Sequence, residues 1–230
     1  MDLSYIDRNV ADIRARIDNA AKAAGREDAP LLLAAIKSAD IEEIKHLHEK
    51  LGINDVGENR VQQLLERYDA LRDDSLRFHF IGTLQTNKVK YIIDKVCMIH
   101  SLDSLKLARE IDKQAKKIGV VMDVLVEVNC GREENKSGIM PEDVADFCLA
   151  LSEFEAINLR GFMTMAPKCE KKEDYRKYFC ETYKLVLDIW TKKLHNISKP
   201  IISMGMSDSF EEAVIEGSDI VRVGRGLFVK

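Results

Sequence analysis

A lysine at the end of an apolar run is the first residue of this sequence whose position could support chemistry. Lys37 directly follows residues 31–36, a run of six apolar residues with the length and composition of a strand buried on both faces. A lysine amine held at a strand end can act as a nucleophile towards a carbonyl group. Lys37 could equally be the first solvated residue after the strand, and this run alone leaves both interpretations open.

Two glycine-containing segments near the end of the sequence could bind a phosphate. Residues 203–208 read Ser-Met-Gly-Met-Ser-Asp ahead of a helical pattern, and residues 224–226 read Gly-Arg-Gly after the last apolar run. Accessible backbone N–H groups, a serine hydroxyl and the dipole at a helix amino terminus together favour a dianion. Either segment alone is typical of a capping loop, but two on adjacent strands favour an anion site. Its candidate residues are Ser203, Met204, Gly205, Gly224 and Arg225.

Arg222 lies within the last apolar run and would point into the interior of a closed sheet. Alternation of side chains along a strand places it on the same face as Ile220 and Gly224. Burial of an arginine is costly unless the guanidinium meets a ligand or an acid. Its partner is therefore either a bound molecule or an internal carboxylate such as Glu127.

A lysine, a phosphate cradle and an inward arginine are the groups required by a pyridoxal 5'-phosphate (PLP) site. The lysine forms a Schiff base with the aldehyde of the cofactor, the loops hold its phosphate, and a side chain faces its pyridine nitrogen. An arginine opposite that nitrogen disfavours its protonation and makes the cofactor a weaker electron sink. These residues predict PLP binding at Lys37, with Arg222 facing the ring nitrogen.

The elements that must position these residues alternate along the whole sequence. Apolar runs predict strands at 31–36, 55–57, 77–81, 96–100, 121–128, 159–163, 201–204 and 220–223. Helical spacing of apolar residues predicts helices at 4–25, 41–51, 60–71, 87–93, 101–119, 141–154, 172–195 and 208–216. Asp208 and Glu211 have the spacing of a capping box at the start of the last of these helices.

This alternation of strands and helices predicts a single α/β domain over residues 1–230, a (β/α)8 TIM barrel with an extra amino-terminal helix. We expect helix 4–25 to cover the surface that a final helix would otherwise cover. Barrel closure would bring Lys37, both glycine segments and Arg222 to one rim, where this fold places its functional residues. An open doubly wound sheet is the competing architecture, but it usually has a phosphate-binding glycine loop after the first strand. Residues 37–40 contain no glycine.

Composition limits the partners and the compartment of the protein. The 35 basic and 39 acidic residues give a net charge of -4, which creates no large single-signed field for nucleic acid or acidic membranes. No apolar run approaches the roughly 20 residues of a membrane span, and the first residues lack the pattern of a signal peptide. Five cysteines without a Cys-x-x-Cys pair indicate neither a disulfide framework nor a zinc site. We expect a cytoplasmic monomer with no nucleic-acid, membrane or metal partner.

The sequence resembles the pyridoxal phosphate homeostasis protein family, the YggS/PROSC group, whose barrel is similar to the amino-terminal domain of alanine racemase. The resemblance covers essentially the whole sequence in the family's order, and the Ser-Met-Gly-Met-Ser-Asp segment is quite specific. The segments that carry it are 31–38, 57–59, 79–82, 84–88, 99–103, 128–138, 160–165, 203–208 and 221–224. The resemblance implies that Lys37 forms the Schiff base and Asn59 lies beside the ring. It also implies that Ser203, Gly205 and Gly224 serve the phosphate and that Arg222 faces the pyridine nitrogen.

Three further positions bear on the comparison with this family. Arg225 stands where the family commonly has threonine, so the phosphate would gain a charged contact or only a backbone N–H. Thr83 stands where the family often has histidine. Lys136 resembles a family lysine in the loop after the fifth strand; it could receive or hand over the cofactor, or be an ordinary solvated lysine.

Three functions remain open at this point. The resemblance implies a non-catalytic protein that holds PLP and supplies it to PLP-dependent apoenzymes, with a role in vitamin B6 homeostasis. The alternative is an amino-acid racemase like the bacterial alanine racemases, which need a second base from an additional domain. Since the sequence ends at Lys230, shortly after the last predicted strand, we expect two-base racemisation to be disfavoured. A third function is binding of another phosphorylated metabolite, with Lys37 as a charge partner.

Overall fold

Eight parallel strands close into a barrel in sequence order in the computed structural model, which describes residues 2–73, 75–192 and 199–230. The strands are β1 (Leu31–Ala35), β2 (Asp55–Glu58), β3 (Arg77–Phe80), β4 (Met98–Leu102), β5 (Met122–Val128), β6 (Ile157–Thr164), β7 (Ile201–Ser203) and β8 (Ile220–Val223). The barrel closes where β8 pairs with β1, with Leu33 opposite Arg222. The predicted (β/α)8 barrel is therefore confirmed.

Helices follow the strands and surround the barrel. They are α1 (Ser4–Ala23), α2 (Ile41–Leu51), α3 (Val61–Leu71), α4 (Leu105–Ile118), α5 (Val144–Leu151), α6 (Tyr175–Thr191), α7 (Phe210–Ile215) and α8 (Arg225–Phe228). Short 3-10 helices occur at Thr86–Tyr91, Pro141–Asp143 and Lys172–Asp174. Within the described part of the chain, no helix is both long and apolar enough to cross a membrane.

Alternation along the strands separates an outer and an inner apolar layer. Leu32 and Ala34 of β1 join the large cluster between the strands and the helices. Leu33 and Ala35 join a small interior cluster instead. Because paired residues of adjacent parallel strands share a face, Arg222 opposite Leu33 points into the barrel, as its sequence position predicts.

Helix α1 packs against the end of the chain. Its buried residues are Tyr5, Ile6, Val10, Ile13, Ile17, Ala20 and Ala21. The Asn9 side-chain amide donates hydrogen bonds of 3.1 Å and 2.8 Å to the carbonyl oxygens of Leu227 and Val229. The amino-terminal helix therefore covers the surface beside β8, as expected, although it shares that surface with the short helix α8.

Two local predictions differ from the structure, and a third cannot be compared with it. Residues 87–93 were predicted as a helix of the ordinary kind, but Thr86–Tyr91 is a 3-10 helix. The capping box of Asp208 and Glu211 is wrong, because α7 begins at Phe210 without a side-chain cap. Asp208 pairs with Arg225 instead, and Glu211 pairs with Arg16 at 2.7 Å. The predicted helix end at His195 lies outside the described residues.

Candidate cofactor-binding site

Lys37 lies in the turn after β1, at the carboxyl-terminal rim of the barrel. Its side chain is exposed, and β1 ends at Ala35, so strand alternation does not extend to Lys37 and the turn sets its position. The register pairs Ala35 with Gly57, and Lys37 and Asn59 each follow that pair by two residues, in the loops after β1 and β2. The amine is therefore accessible to a ligand that approaches the rim next to Asn59.

Arg67 on α3 fixes the turn that carries Lys37. Its guanidinium donates hydrogen bonds of 2.9 Å to the Ile36 carbonyl and 2.8 Å to the Ala39 carbonyl, on either side of Lys37. It also forms a 2.8 Å ion pair with Glu58, whose side chain is fully buried. Sequence analysis missed both residues. The available signal was a glutamate inside a buried strand, which needs a cationic partner.

Asn59 presents a buried polar atom without a partner. Its backbone N–H donates a 2.8 Å hydrogen bond to the Glu58 carboxylate. Its side-chain oxygen Oδ1 is buried and accepts no hydrogen bond from any described residue. An unpaired buried acceptor costs free energy, so this atom indicates a ligand that donates a hydrogen bond at the rim.

The loops after β7 and β8 meet at the same rim. The Ser207 hydroxyl lies 3.4 Å from the Gly226 backbone nitrogen, which donates to it. Gly205 has a φ of +91°, and a Cβ there would lie 2.5 Å from the Ala213 Cβ. A Cβ on Gly224 would lie 2.9 Å from the Ala35 carbonyl oxygen. Both glycines therefore allow close packing of these loops, against α7 and β1 respectively.

The other candidate phosphate residues occupy different positions. Met204 is fully buried in the outer apolar layer, so its side chain faces the helices, while its N–H donates a 3.1 Å bond to the Ile220 carbonyl. Arg225 is exposed at the start of α8 and pairs with Asp208. Ser207, the second serine of the 203–208 segment, was not among the predicted residues, although that segment already contained it.

Ser203 lies in the barrel interior. Its side chain is fully buried, and its hydroxyl oxygen accepts a 2.7 Å hydrogen bond from the Arg222 guanidinium. The same oxygen lies 3.1 Å from Nδ1 of His100. The hydroxyl is thus engaged by Arg222 and His100, and Ser207 is the serine at the junction of the two loops.

Arg222 is held by uncharged acceptors. Besides Ser203, its guanidinium donates a 2.9 Å hydrogen bond to the Thr164 carbonyl at the end of β6. Burial lowers the pKa of Arg222 to about 10, and the charge of Glu127 opposes this effect, so the side chain stays cationic at neutral pH. The cation that faces the barrel interior is therefore fixed in place by groups that carry no formal charge.

The loop after β5 carries Lys136 and reaches across the rim. Lys136 is exposed, and its backbone N–H donates a 3.0 Å bond to the Glu133 carbonyl. The next residue, Ser137, lies 3.3 Å from the Thr83 hydroxyl in the loop after β3. Lys136 therefore lies beside a contact between two rim loops, on the surface of the protein.

Comparison with known proteins assigns the family. The family model for the alanine racemase N-terminal domain matches residues 1–230. A pyridoxal phosphate homeostasis protein from Aquifex aeolicus (strain VF5) is 45% identical over 214 residues, which are 93% of this chain and 92% of the relative. The chain belongs to the pyridoxal phosphate homeostasis protein family.

Solved structures agree with membership of the pyridoxal phosphate homeostasis protein family. PipY from Synechococcus elongatus PCC7942, determined with PLP bound, is 26% identical with a TM-score of 0.83, and the match covers 97% of this chain and 100% of PipY. Alanine racemase from Clostridium difficile 630 is 19% identical with a TM-score of 0.75. That match covers 99% of this chain and 57% of the racemase, and it shows a shared fold.

Proposed function

We propose that this protein binds PLP covalently through Lys37 in the cytoplasm and holds it for supply to PLP-dependent apoenzymes, without catalysing a reaction itself. The observation that carries the proposal is one rim arrangement. The exposed Lys37 follows β1, the unpaired Asn59 oxygen follows β2, and the cation of Arg222 in β8 points into the barrel. Membership of the family and the PLP-bound structure of PipY support the same ligand.

The residues at the rim fit the chemical groups of PLP. When bound, PLP supplies an aldehyde that condenses with the Lys37 amine and releases water. Asn59 Oδ1 can accept a hydrogen bond from the ring hydroxyl, which satisfies the buried atom. The Ser207 hydroxyl and the backbone N–H groups of residues 224–226 can hold the phosphate, with Arg225 at the edge of that cradle.

The positive charge of Arg222 favours a protein that binds PLP without catalysis over a PLP-dependent enzyme. A carbanion next to the PLP ring is stabilised best when the pyridine nitrogen carries a proton. Arg222 remains cationic at neutral pH and would disfavour that proton by charge repulsion. The protein would therefore bind PLP, while the bound PLP would act as a weaker electron sink.

Absorbance and labelling test the role of Lys37. We expect the purified protein incubated with PLP to show a band at the visible edge, and borohydride reduction followed by peptide mass spectrometry to place the label on Lys37. Lys37→Ala should lose the band, whereas Lys136→Ala, the matched substitution of another rim lysine, should keep it. A band that persists in Lys37→Ala, or a label on another lysine, would overturn the proposal.

Amino-acid racemisation is the second candidate, because the matching family model is that of an alanine racemase domain. Exchange of the α-hydrogen of L- or D-alanine in deuterated water separates the two functions. We expect the PLP-loaded protein to exchange no faster than free PLP under the same conditions. Exchange at enzyme-like rates would contradict the non-catalytic function and favour the racemase.

The proposed monomeric state and the proposed supply of PLP are tested separately. Light scattering should give the mass of one chain, 26.1 kDa, with and without PLP, and a doubled mass would contradict the monomer. The loaded protein should restore activity to a PLP-dependent apoenzyme, and Lys37→Ala treated in the same way should not. Equal recovery with both proteins would show that free PLP is the source.

A further inference from the structure

A continuous chain of hydrogen bonds crosses the interior of the barrel from Arg222 to Asp55. Arg222 donates to the Ser203 oxygen at 2.7 Å, and that oxygen lies 3.1 Å from Nδ1 of His100. Nε2 of His100 lies 2.9 Å from Nδ1 of His79, and Nε2 of His79 lies 2.9 Å from the Asp55 carboxylate. None of these five residues is more than 4% exposed. We refer to Asp55, His79, His100 and Ser203 as the interior chain.

The interior chain joins the two ends of the barrel. Asp55 is the first residue of β2, at the end opposite the Lys37 rim, where Arg77 donates to it at 2.8 Å. His79 and His100 are contributed by β3 and β4, and Ser203 by β7. Side chains from four strands therefore connect the Asp55–Arg77 ion pair at one end of the barrel to the guanidinium of Arg222.

The protonation of Asp55, His100 and Arg222 limits which groups of the interior chain can donate hydrogen bonds and which can accept them. Burial raises the pKa of Asp55, but hydrogen bonds from His79 and Arg77 outweigh it and lower that pKa to about 2, so Asp55 only accepts. Burial, together with the charge of Arg222, holds the pKa of His100 well below its usual range, so His100 carries a single ring N–H. At the other end, the guanidinium of Arg222 only donates.

One arrangement of hydrogens satisfies every group of the interior chain. Ser203 accepts from Arg222 and donates to Nδ1 of His100. The Nε2–H of His100 donates to Nδ1 of His79, and the Nε2–H of His79 donates to Asp55. The reverse arrangement needs a charged His79 and leaves the Ser203 hydrogen without an acceptor among the described residues. A fully buried hydroxyl hydrogen without an acceptor is unfavourable, so the first arrangement is preferred.

We propose that Asp55, His79, His100 and Ser203 are positioning residues which, through a single set of histidine tautomers, hold the Arg222 guanidinium towards the pyridine nitrogen of PLP. The inference rests on the proposed function for the identity of the ligand that Arg222 faces. A serine beside a histidine can also indicate a nucleophile. Here the hydroxyl is fully buried and already accepts from Arg222, so its role is to orient that cation.

The tautomers can be measured in the full chain without PLP. Nitrogen-15 NMR of the protein labelled in histidine reports which ring nitrogen carries the hydrogen. We expect neutral Nε2–H tautomers for both His79 and His100 near neutral pH, assigned with single His→Gln variants. A charged His79, or an Nδ1–H tautomer at His100, would overturn the arrangement.

Substitutions test the positioning role in the PLP-loaded protein. Ser203→Ala removes one of the two acceptors of Arg222, so we expect about tenfold weaker PLP binding and a shifted pH profile of the cofactor absorbance. Tenfold corresponds to the loss of one good polar contact. Ser203→Thr should restore both. Thr182→Val is the matched control, because it removes another buried hydroxyl, one that donates to the Tyr178 carbonyl of its own helix and also interacts with Cys130.

Asp55→Asn tests the opposite end of the interior chain, because Asp55 lies at the end of the barrel away from the Lys37 rim and cannot contact PLP there. It also provides a second test of the positioning role if Ser203→Ala does not fold. We expect it to shift the absorbance profile in the same direction as Ser203→Ala. Wild-type profiles and affinities in both variants would overturn the positioning role. Absence of a cofactor band in the wild-type protein would instead refute the proposed function, and the tautomers of the PLP-free protein would still decide whether the interior chain exists as described.

Discussion

Glu127 shows at the scale of one residue how burial changes the chemistry of the barrel interior. It belongs to β5 and is 3% exposed. Burial, and after it the charge of Asp103, raises the pKa of Glu127 to about 7, while Arg222 opposes the shift. A carboxyl group that titrates near neutral pH thus lies within electrostatic reach of the cation in the candidate site.

We predict that Glu127→Gln stabilises the PLP-free protein increasingly as pH rises from about 4.5 to about 7. The unfolded chain ionises Glu127 near its ordinary pKa of 4.5, whereas the folded protein retains the proton up to about 7. The wild-type protein therefore loses stability through that window, by roughly 3 kcal/mol in total, and the glutamine variant does not. Denaturant unfolding of both proteins across this pH range measures the difference.

Glu153 provides the control for this titration, because its side chain is exposed on the surface. Glu153→Gln should leave the free energy of unfolding unchanged at every pH. A difference between the wild-type protein and Glu127→Gln that stays constant with pH would contradict the raised pKa.

At the scale of secondary structure, β6 contains an irregularity ahead of one of the two acceptors of Arg222. The pairing of β5 with β6 shifts between Val124 opposite Leu159 and Leu125 opposite Gly161, which leaves an extra residue in β6. Gly161 has a φ of +153°, and a Cβ there would lie 2.0 Å from the Ile201 carbonyl oxygen of β7. The same strand ends at Thr164, whose carbonyl accepts from Arg222.

We predict that Gly161→Ala destabilises the protein by about 3 kcal/mol or more, because β6 and β7 must separate to admit the methyl group. Gly119→Ala is the matched control: its φ is also positive, at +72°, but a Cβ there meets nothing within 4 Å. It should cost about 1 kcal/mol from backbone strain alone. Equal losses in the two variants, measured by denaturant unfolding, would show that contact with β7 contributes nothing.

At the scale of the whole molecule, α1 joins the beginning of the chain to its end. Ile13 is 3% exposed, and its Cδ1 lies 3.5 Å from the position of a Cβ on Gly226. Hydrogen bonds from Asn9 to the carbonyl oxygens of Leu227 and Val229 add to this packing. The loop after β8 therefore depends on α1 for its position.

We predict that Ile13→Ala lowers the free energy of unfolding by roughly 3 kcal/mol, through lost burial and an unfilled cavity between α1 and α8. Lys22→Ala, at an exposed position of the same helix, should change it by less than about 0.5 kcal/mol. Denaturant titration gives both values, and a loss below about 1 kcal/mol for Ile13→Ala would contradict a packed α1.

Local patterns in the sequence determined the strands and the place of the candidate site. Strands buried on both faces appear as short apolar runs, so the strand at 220–223 was predicted with its observed bounds and that at 31–36 to within one residue. Lys37 and the two glycine segments were predicted from their positions after strands, and Asn59 from the family resemblance; in the structure all of them follow strands at one rim. Their roles towards PLP stay predictions.

Only the tertiary structure decided which partners the polar side chains have. Ser203 meets His100 and Arg222, and Arg67 holds the turn of Lys37, because barrel closure brings together residues far apart in the sequence. The error at Asp208 has the same origin: its spacing to Glu211 suits a capping box, but a tertiary cation satisfies each carboxylate instead. Apolar periodicity is a local property that the sequence displays directly. The pairing of buried polar groups depends on distances that exist only once the strands have closed.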